Sequence, residues 1–194
     1  MSRGRLLFAT CLLALGLAAC DRSDPPPRPL KASAPVEPEP QAVQVFFKGP
    51  LGQLEGYLWK PTGAVRHPAI VYNHGSEKSP TSGTASGVGP FFAKHGMVVF
   101  FPNRRGTGHS EGPFWNDRVS ALPKDKRAGG TVDALVADND DVVAAIEWLR
   151  EQPFVDRRSI AVAGCSFGGI EALLTAEKPL DLWAALDFAG GAQT

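Results

Sequence analysis

The stretch IAVAGCSFGGIEALL, residues 160–174, decides the fold. Its first four residues are apolar and predict a short strand that is covered on both faces. Residues 168–177 predict a helix that follows almost at once. Between the two, GCSFGG places Ser166 in a turn framed by glycines, as a tight and strained turn requires. The pattern favours a serine whose hydroxyl is raised above the edge of a sheet, beside the N-terminus of a helix.

Outward from this turn, strands and helices alternate along the chain. We predict a β-hairpin over 43–47 and 54–59, strands over 69–72, 97–101 and 184–188, and helices over 89–95 and 138–151. Residues 113–130 contain two prolines and a glycine pair and are predicted to be irregular. Such an alternation predicts an α/β fold, with a mostly parallel central sheet, helices on both faces and an N-terminal hairpin.

Polar motifs follow three of the central strands. NHGS follows the strand over 69–72, NRRGTGHS follows the strand over 97–101, and GCSFGG follows the strand over 160–163. Ligands of such sheets bind at the carboxyl ends of the strands. The three motifs are therefore expected to lie around one site.

Together these motifs resemble the α/β-hydrolase superfamily, and within it the dienelactone-hydrolase-like and prolyl-oligopeptidase-like serine hydrolases. The resemblance covers residues 43–191 and rests on VYNHGS (71–76), PNRRGTGHSEG (102–112), DDVVAAIEWL (140–149), VDRRSIAVAGCSFGG (155–169) and LDFAGG (186–191). It implies hydrolysis of ester or short peptide bonds through an acyl-enzyme at Ser166. Dienelactone hydrolase itself has a cysteine nucleophile, whereas here the central position is Ser166 and Cys165 comes one place early.

The resemblance also implies the remaining parts of the site. The backbone N–H groups of Phe167 and Ser76 are expected to form an oxyanion hole. Six residues are expected to shape the surrounding loops: His74, Gly75, Arg105, Gly106, Gly164 and Gly168. For Arg105 and Gly106 two interpretations stay open, because the pair either forms the pocket floor or only fixes its own loop.

Other reactive side chains receive structural interpretations. Asp138, Asp140 and Asp141 stand at the start of a predicted helix, where they would cap N–H groups rather than hold a metal. Cys165 is expected to be buried filler beside the serine. No cofactor is predicted, because GTG in RRGTGH leads into a proline rather than a helix.

The sequence does not supply the base that Ser166 needs. In this fold the acid and the histidine of the triad follow the serine, but all four histidines precede it: His67, His74, His95 and His109. His109 as a replacement base is disfavoured, and Asp187 lies within a predicted strand, too early for the usual acid. We therefore expect the amino-terminal part of a longer hydrolase, with the final strands and last helix missing. The alternative is an inactive fragment or a pseudo-hydrolase binding module.

The first 41 residues have a different composition. Residues 1–19 combine two arginines, an apolar run too short to span a bilayer and small residues before Cys20, which resembles a bacterial lipoprotein signal. Cys20 would carry lipid, residues 20–41 would form a proline-rich tether, and residues 42–194 would form the hydrolase domain. Asp21 favours the periplasmic face of the inner membrane. The net charge of zero gives no reason to expect a nucleic-acid partner.

Overall fold

The computed structural model describes residues 38–191. The predicted signal peptide, the lipidation site at Cys20 and nearly all of the tether lie outside the described residues. The domain predicted from residue 42 onward lies inside them, apart from residues 192–194.

Within residues 38–191, six strands form one sheet in the order β1-β2-β4-β3-β5-β6. The strands are β1 Val43–Lys48, β2 Gln53–Trp59, β3 His67–Asn73, β4 Val98–Pro102, β5 Val155–Cys165 and β6 Ala184–Phe188. β1 and β2 form an antiparallel hairpin, and β2 pairs antiparallel with β4. β3, β4, β5 and β6 run parallel to one another. The predicted hairpin and the mostly parallel sheet are both confirmed.

Helices cover both faces of this sheet, as predicted. They are α1 Gly89–Lys94, α2 Trp115–Ser120, α3 Arg127–Arg150 and α4 Phe167–Ala176, with a 3-10 turn at Lys124–Lys126. On one face Val142 and Ile146 of α3 join a buried cluster with Phe100 of β4. On the other face Ala93 of α1 packs in a cluster with Val99 of β4. All five residues of β4 are buried, which explains its unbroken apolar sequence.

The prediction of an irregular segment over 113–130 is wrong. Helix α2, the 3-10 turn and the first turn of α3 occupy most of it. Its prolines stand just before helices, where a missing N–H costs nothing. Gly130 lies inside α3 because Leu122 packs against it, and a Cβ there would come within 2.3 Å of the Leu122 Cδ1 atom.

The predicted start of α3 is also wrong, by eleven residues, because the helix begins at Arg127 rather than at residue 138. Asp138 and Asp141 are therefore buried in its middle and do not cap its N-terminus. Asp141 binds Arg105, and Asp138 forms an ion pair with Arg118. These arginine partners let two carboxylates lie inside a helix that the sequence pattern alone would start at residue 138.

In the described part of the chain, β6 lies at the edge of the sheet and pairs with β5 alone. The side chains of Leu186 and Phe188 are 41% and 49% exposed. This edge of the described sheet therefore exposes apolar side chains to solvent.

Candidate active site

Ser166 lies in the strained turn between β5 and α4. Its backbone has φ 54° and ψ −122°, an uncommon conformation for a residue with a side chain. The Ser166 N–H donates to the Phe188 carbonyl at 2.9 Å, which ties the turn to the end of β6. This is the geometry expected of a nucleophile elbow.

The glycines on either side of Ser166 allow this turn to pack. A Cβ at Gly164 would come within 2.1 Å of the Gly168 oxygen. A Cβ at Gly168 would come within 2.2 Å of the Asn73 oxygen and 2.5 Å of the His74 oxygen. Backbone atoms of two segments, the start of α4 and the end of β3 with its loop, thus leave no room for any larger residue at these two positions.

A cleft of about 350 Å³ opens beside Ser166. It is lined by the ends of β3, β4 and β5 and by the loop after β3: Tyr72, Asn73, His74, Gly75, Ser76, Glu77, Thr84, Phe101, Cys165 and Ser166. The structure thus brings NHGS and GCSFGG together. The NRRGTGHS loop lies behind them and contributes none of its own residues to the lining.

Two backbone N–H groups near the cleft are suited to stabilise an oxyanion. Phe167 is the first residue of α4, so its N–H has no acceptor within the helix and sits at the positive end of the helix dipole. Ser76 belongs to the loop after β3 and lines the cleft. Neither N–H donates to another group among residues 38–191. Both donors named from the sequence are therefore free to bind a ligand.

His74 is the one histidine that lines the cleft, but its ring is already engaged. Its Nδ1 donates to the Gly75 carbonyl at 3.0 Å, and its Nε2 accepts from the Arg104 N–H at 3.4 Å. Burial and the neighbouring Arg104 guanidinium hold the pKa of His74 well below its usual value, so the ring is neutral. This geometry suits a residue that orders the loop better than one that takes a proton from Ser166.

Arg105 is buried and faces α3 rather than the cleft. It binds Asp141 through Nε at 2.8 Å and Nη2 at 2.7 Å. The next residue, Gly106, has φ 68°, and a Cβ on it would come within 2.2 Å of the Phe114 nitrogen. Of the two interpretations of this pair, the geometry supports the loop-fixing one, since neither residue lines the cleft.

His109 lies away from the cleft. Its Nδ1 contacts Oε1 of Glu55 at 2.9 Å, and its side chain is 74% exposed. Burial opposes ionisation of Glu55, but hydrogen bonds from His109, Gln44 and Asn103 lower the pKa of this carboxyl to about 2. The pair fastens the loop after β4 to the hairpin.

Cys165 lines the cleft, whereas Asp187 does not. The expectation that Cys165 is buried filler is wrong, because β5 ends at this residue and its side chain is exposed to the cleft. Asp187 lies in β6, where its Oδ1 accepts from the Gly190 N–H at 2.7 Å. It does not line the cleft.

Sequence reasoning missed a group of buried polar residues behind the elbow. Glu171 of α4 is fully buried and accepts from the Asn139 side chain at 2.7 Å. Burial raises its pKa to about 8, although the nearby Arg104 guanidinium favours the charged form. The one sequence signal was a glutamate inside the apolar helix IEALL.

The described residues form neither a candidate metal site nor a helix that could span a membrane. Residues 38–191 contain no group of three or more histidine, cysteine, aspartate or glutamate side chains placed to hold a metal ion. They also contain no helix with the length and apolar character needed to cross a membrane.

Residues 52–191 match one known protein family. The family model described as X-Pro dipeptidyl-peptidase (S15 family) matches residues 52–191, from β2 to just past β6. The chain belongs to this family. The match includes the whole elbow, the loop after β3 and the buried charges behind them.

Solved structures show the same fold. The S15-family chain is similar to an esterase of Pyrobaculum calidifontis (25% identity, TM-score 0.51, 71% of this chain and 40% of that one). It is also similar to the acylaminoacyl peptidase of Pyrococcus horikoshii (24% identity, TM-score 0.52, 74% and 22%). A third is DcsB, solved with a substrate analogue (17% identity, TM-score 0.59, 75% and 44%). The chain therefore spans less than half the length of each of these proteins, and its fold is that of the α/β hydrolases.

Proposed function

We propose that this chain is part of a serine hydrolase that cleaves ester or peptide bonds through an acyl-enzyme at Ser166. The observation that carries the proposal is Ser166 itself, held at φ 54° at the mouth of a cleft. Such strain persists only where surrounding structure enforces it, and it raises the hydroxyl toward a bound carbonyl. Membership of the S15 family supports the same chemistry.

In this reaction the Ser166 hydroxyl oxygen attacks the carbonyl carbon and a tetrahedral oxyanion forms. The N–H groups of Phe167 and Ser76 donate to that oxyanion. The carbonyl–leaving-group bond then breaks, and the leaving alcohol or amine takes up the proton that the Ser166 hydroxyl gave up as the acyl-enzyme forms. Water then releases the acid and restores the serine. Each donor is expected to contribute roughly 10²–10³ in rate.

Within residues 38–191, no histidine is placed with a free ring nitrogen beside Ser166. His74 has both ring nitrogens engaged, and the other three histidines do not line the cleft. A serine without a base is a poor nucleophile at neutral pH. This observation favours the second candidate, a module that binds a carbonyl ligand in the cleft without cleaving it.

A substrate panel separates the two candidates. The full chain and Ser166→Ala are incubated with p-nitrophenyl esters of different chain lengths and with X-Pro p-nitroanilides. The hydrolase proposal predicts turnover by the full chain that is lost in Ser166→Ala. If a folded full chain shows no more turnover than Ser166→Ala on the whole panel, the binding module is the better account.

We also propose that this chain is similar to the dienelactone hydrolases in its fold more than in its reaction. The reason is that a serine, Ser166, occupies the nucleophile position, where dienelactone hydrolase has a cysteine. Preferential turnover of esters over X-Pro amides would support the esterase side of the family. Preferential turnover of the amides would support the peptidase side.

For location, we propose a lipid anchor at Cys20, with the domain held at the cell envelope. The support is the sequence alone: two arginines, a short apolar run and small residues before the cysteine. Metabolic labelling with palmitate in a bacterial host should mark the full chain and not Cys20→Ala. Equal labelling of both would refute the anchor.

A further inference from the structure

Three consecutive carbonyls of the loop after β3 are held by donors that come from elsewhere in the fold. The His74 carbonyl accepts from Arg104 Nη1 at 3.0 Å, and the Gly75 carbonyl accepts from Arg104 Nη2 at 2.6 Å. The Ser76 carbonyl accepts from Trp115 Nε1 at 3.2 Å. Arg104 follows β4, and Trp115 begins α2.

These bonds also determine where the neighbouring N–H groups point. A trans peptide unit is planar, so its C=O and the following N–H point in opposite directions. Residues 38–191 contain no cis peptide bond. With the Gly75 carbonyl turned toward the buried Arg104, the Ser76 N–H is turned away from Arg104, to the opposite side of the peptide unit. Ser76 itself lines the cleft.

The same two side chains also contact the other donor residue. The Arg104 guanidinium lies 5.1 Å from the centre of the Phe167 ring. The Trp115 ring lies 5.1 Å from that centre, tilted by 31°. Phe167 carries the other N–H donor. Its ring thus contacts Arg104 and Trp115, the two side chains that hold the loop of the Ser76 N–H.

We propose that Arg104 and Trp115 are positioning residues that hold the two oxyanion donors, Ser76 N–H and Phe167 N–H, in a fixed relation to each other. The inference rests on the proposed function. Neither side chain lines the cleft, so both act through the loop after β3 and through the Phe167 ring. Fixed donors need no rearrangement as charge develops on the substrate oxygen, and this lowers the barrier of the chemical step rather than substrate affinity.

Arg104 is suited to this task because it is 1% exposed and its planar guanidinium donates to two carbonyls at once. Its charge is balanced by carboxylates from three other segments: Glu171, Asp138 and Asp141, and Glu77 of the loop itself. Lysine would keep the charge but lose the planar fork. Trp115→Phe would keep a ring against Phe167 and lose only the N–H donor.

The test measures phosphonylation of Ser166 by a fluorophosphonate, with the maximal rate and the half-saturating probe concentration determined separately. We expect Arg104→Met to lower the maximal rate by roughly 10–100-fold and Trp115→Phe by a smaller factor, with half-saturation within about threefold of the parent. Arg104→Lys should recover part of the loss. Arg158→Met and Trp183→Phe, at exposed positions away from the cleft, serve as controls and should react like the parent.

Hydrogen exchange of the same variants separates failure of the proposed hydrolase function from failure of the positioning role of Arg104 and Trp115. The Gly108 amide, which donates to the Lys78 carbonyl of the loop after β3 at 3.0 Å, should exchange faster in Arg104→Met and Trp115→Phe while the amides of β3 and β5 stay protected. If the parent is not phosphonylated, the proposed function fails, and exchange alone then decides whether the loop is held. Unchanged exchange at Gly108 in both variants, or an effect confined to the half-saturating probe concentration, would overturn the inference.

Discussion

Glu171 provides a prediction that can be calculated from the structure. Its carboxyl is buried behind the elbow, and burial raises its pKa from 4.5 to about 8. The groups that face it are Arg104 after β4, with Asn139, Asp138 and Asp141 of α3. Glu171→Gln resembles the protonated acid and keeps an oxygen for the Asn139 amide to donate to.

The sign of the effect follows from proton counting. Between pH 4.5 and about 8 the folded chain holds a proton on Glu171 that the unfolded chain has lost, so the free energy of unfolding falls as pH rises. The slope is about 1.4 kcal/mol per pH unit. The unfolding free energy of the parent relative to Glu171→Gln should therefore fall by about 5 kcal/mol in total across this range, as an upper limit.

His74 acts in the opposite direction in part of this range. Burial lowers its pKa well below 6.5, so the unfolded chain binds the proton first and stability falls as pH drops below 6.5. In the parent the two effects therefore oppose each other below pH 6.5. Above 6.5 Glu171 acts alone, and the unfolding free energy should decline by about 2 kcal/mol up to pH 8.

Urea unfolding at 25 °C, followed by tryptophan fluorescence at several pH values between 5 and 8, measures these differences. The parent, Glu171→Gln and the exposed control Glu177→Gln are compared at each pH. We expect Glu177→Gln to follow the parent. A constant difference between the parent and Glu171→Gln over this range would refute the reasoning about the buried carboxyl.

Three further predictions concern the elbow and its supports. Gly168→Ala should lower the free energy of unfolding, measured in urea, by about 3 kcal/mol or more, because the new Cβ would meet backbone oxygens. The control is Gly87→Ala, whose Cβ would meet nothing within 4 Å. It should change the free energy of unfolding by less than about 1 kcal/mol. Arg105→Met leaves the buried carboxylate of Asp141 without its arginine partner and should cost about 3–5 kcal/mol. A loss below about 1 kcal/mol by the same measurement would show that this ion pair is dispensable. Alkylation of Cys165 with iodoacetamide, checked by mass, should slow phosphonylation of Ser166 by roughly tenfold or more, since both line the cleft; an unchanged rate would place the thiol outside the path of the probe.

The sequence predicted the fold well where one local pattern determines one element. The unbroken apolar run of β4 and the glycine-framed turn at Ser166 each have one structural interpretation, and β6 was predicted with its observed bounds. Prediction failed where distant contacts override local signals. Gly130 and Asp138 discourage a helix in isolation, but Leu122 fills the space over the glycine and Arg118 pairs with the aspartate.

The candidate site was predictable to the same limited degree. Ser166 and its glycines are specified by residues adjacent in sequence, so the motif was enough to find them. Arg104 and Trp115 reach their positions through the packing of β4 and α2 against the loop after β3, and no spacing in the sequence encodes that contact. Cys165 was misplaced because the end of β5 turns its side chain into the cleft, which an apolar strand pattern does not reveal.

The most direct test of the central claim is the site of fluorophosphonate labelling. The full chain is treated with the probe at neutral pH, digested, and mapped by mass spectrometry beside Ser166→Ala and Cys165→Ala. The account predicts one adduct on Ser166 that persists in Cys165→Ala and disappears in Ser166→Ala. A folded chain that carries no adduct, or carries it on another residue, would contradict the assignment of Ser166 as the nucleophile.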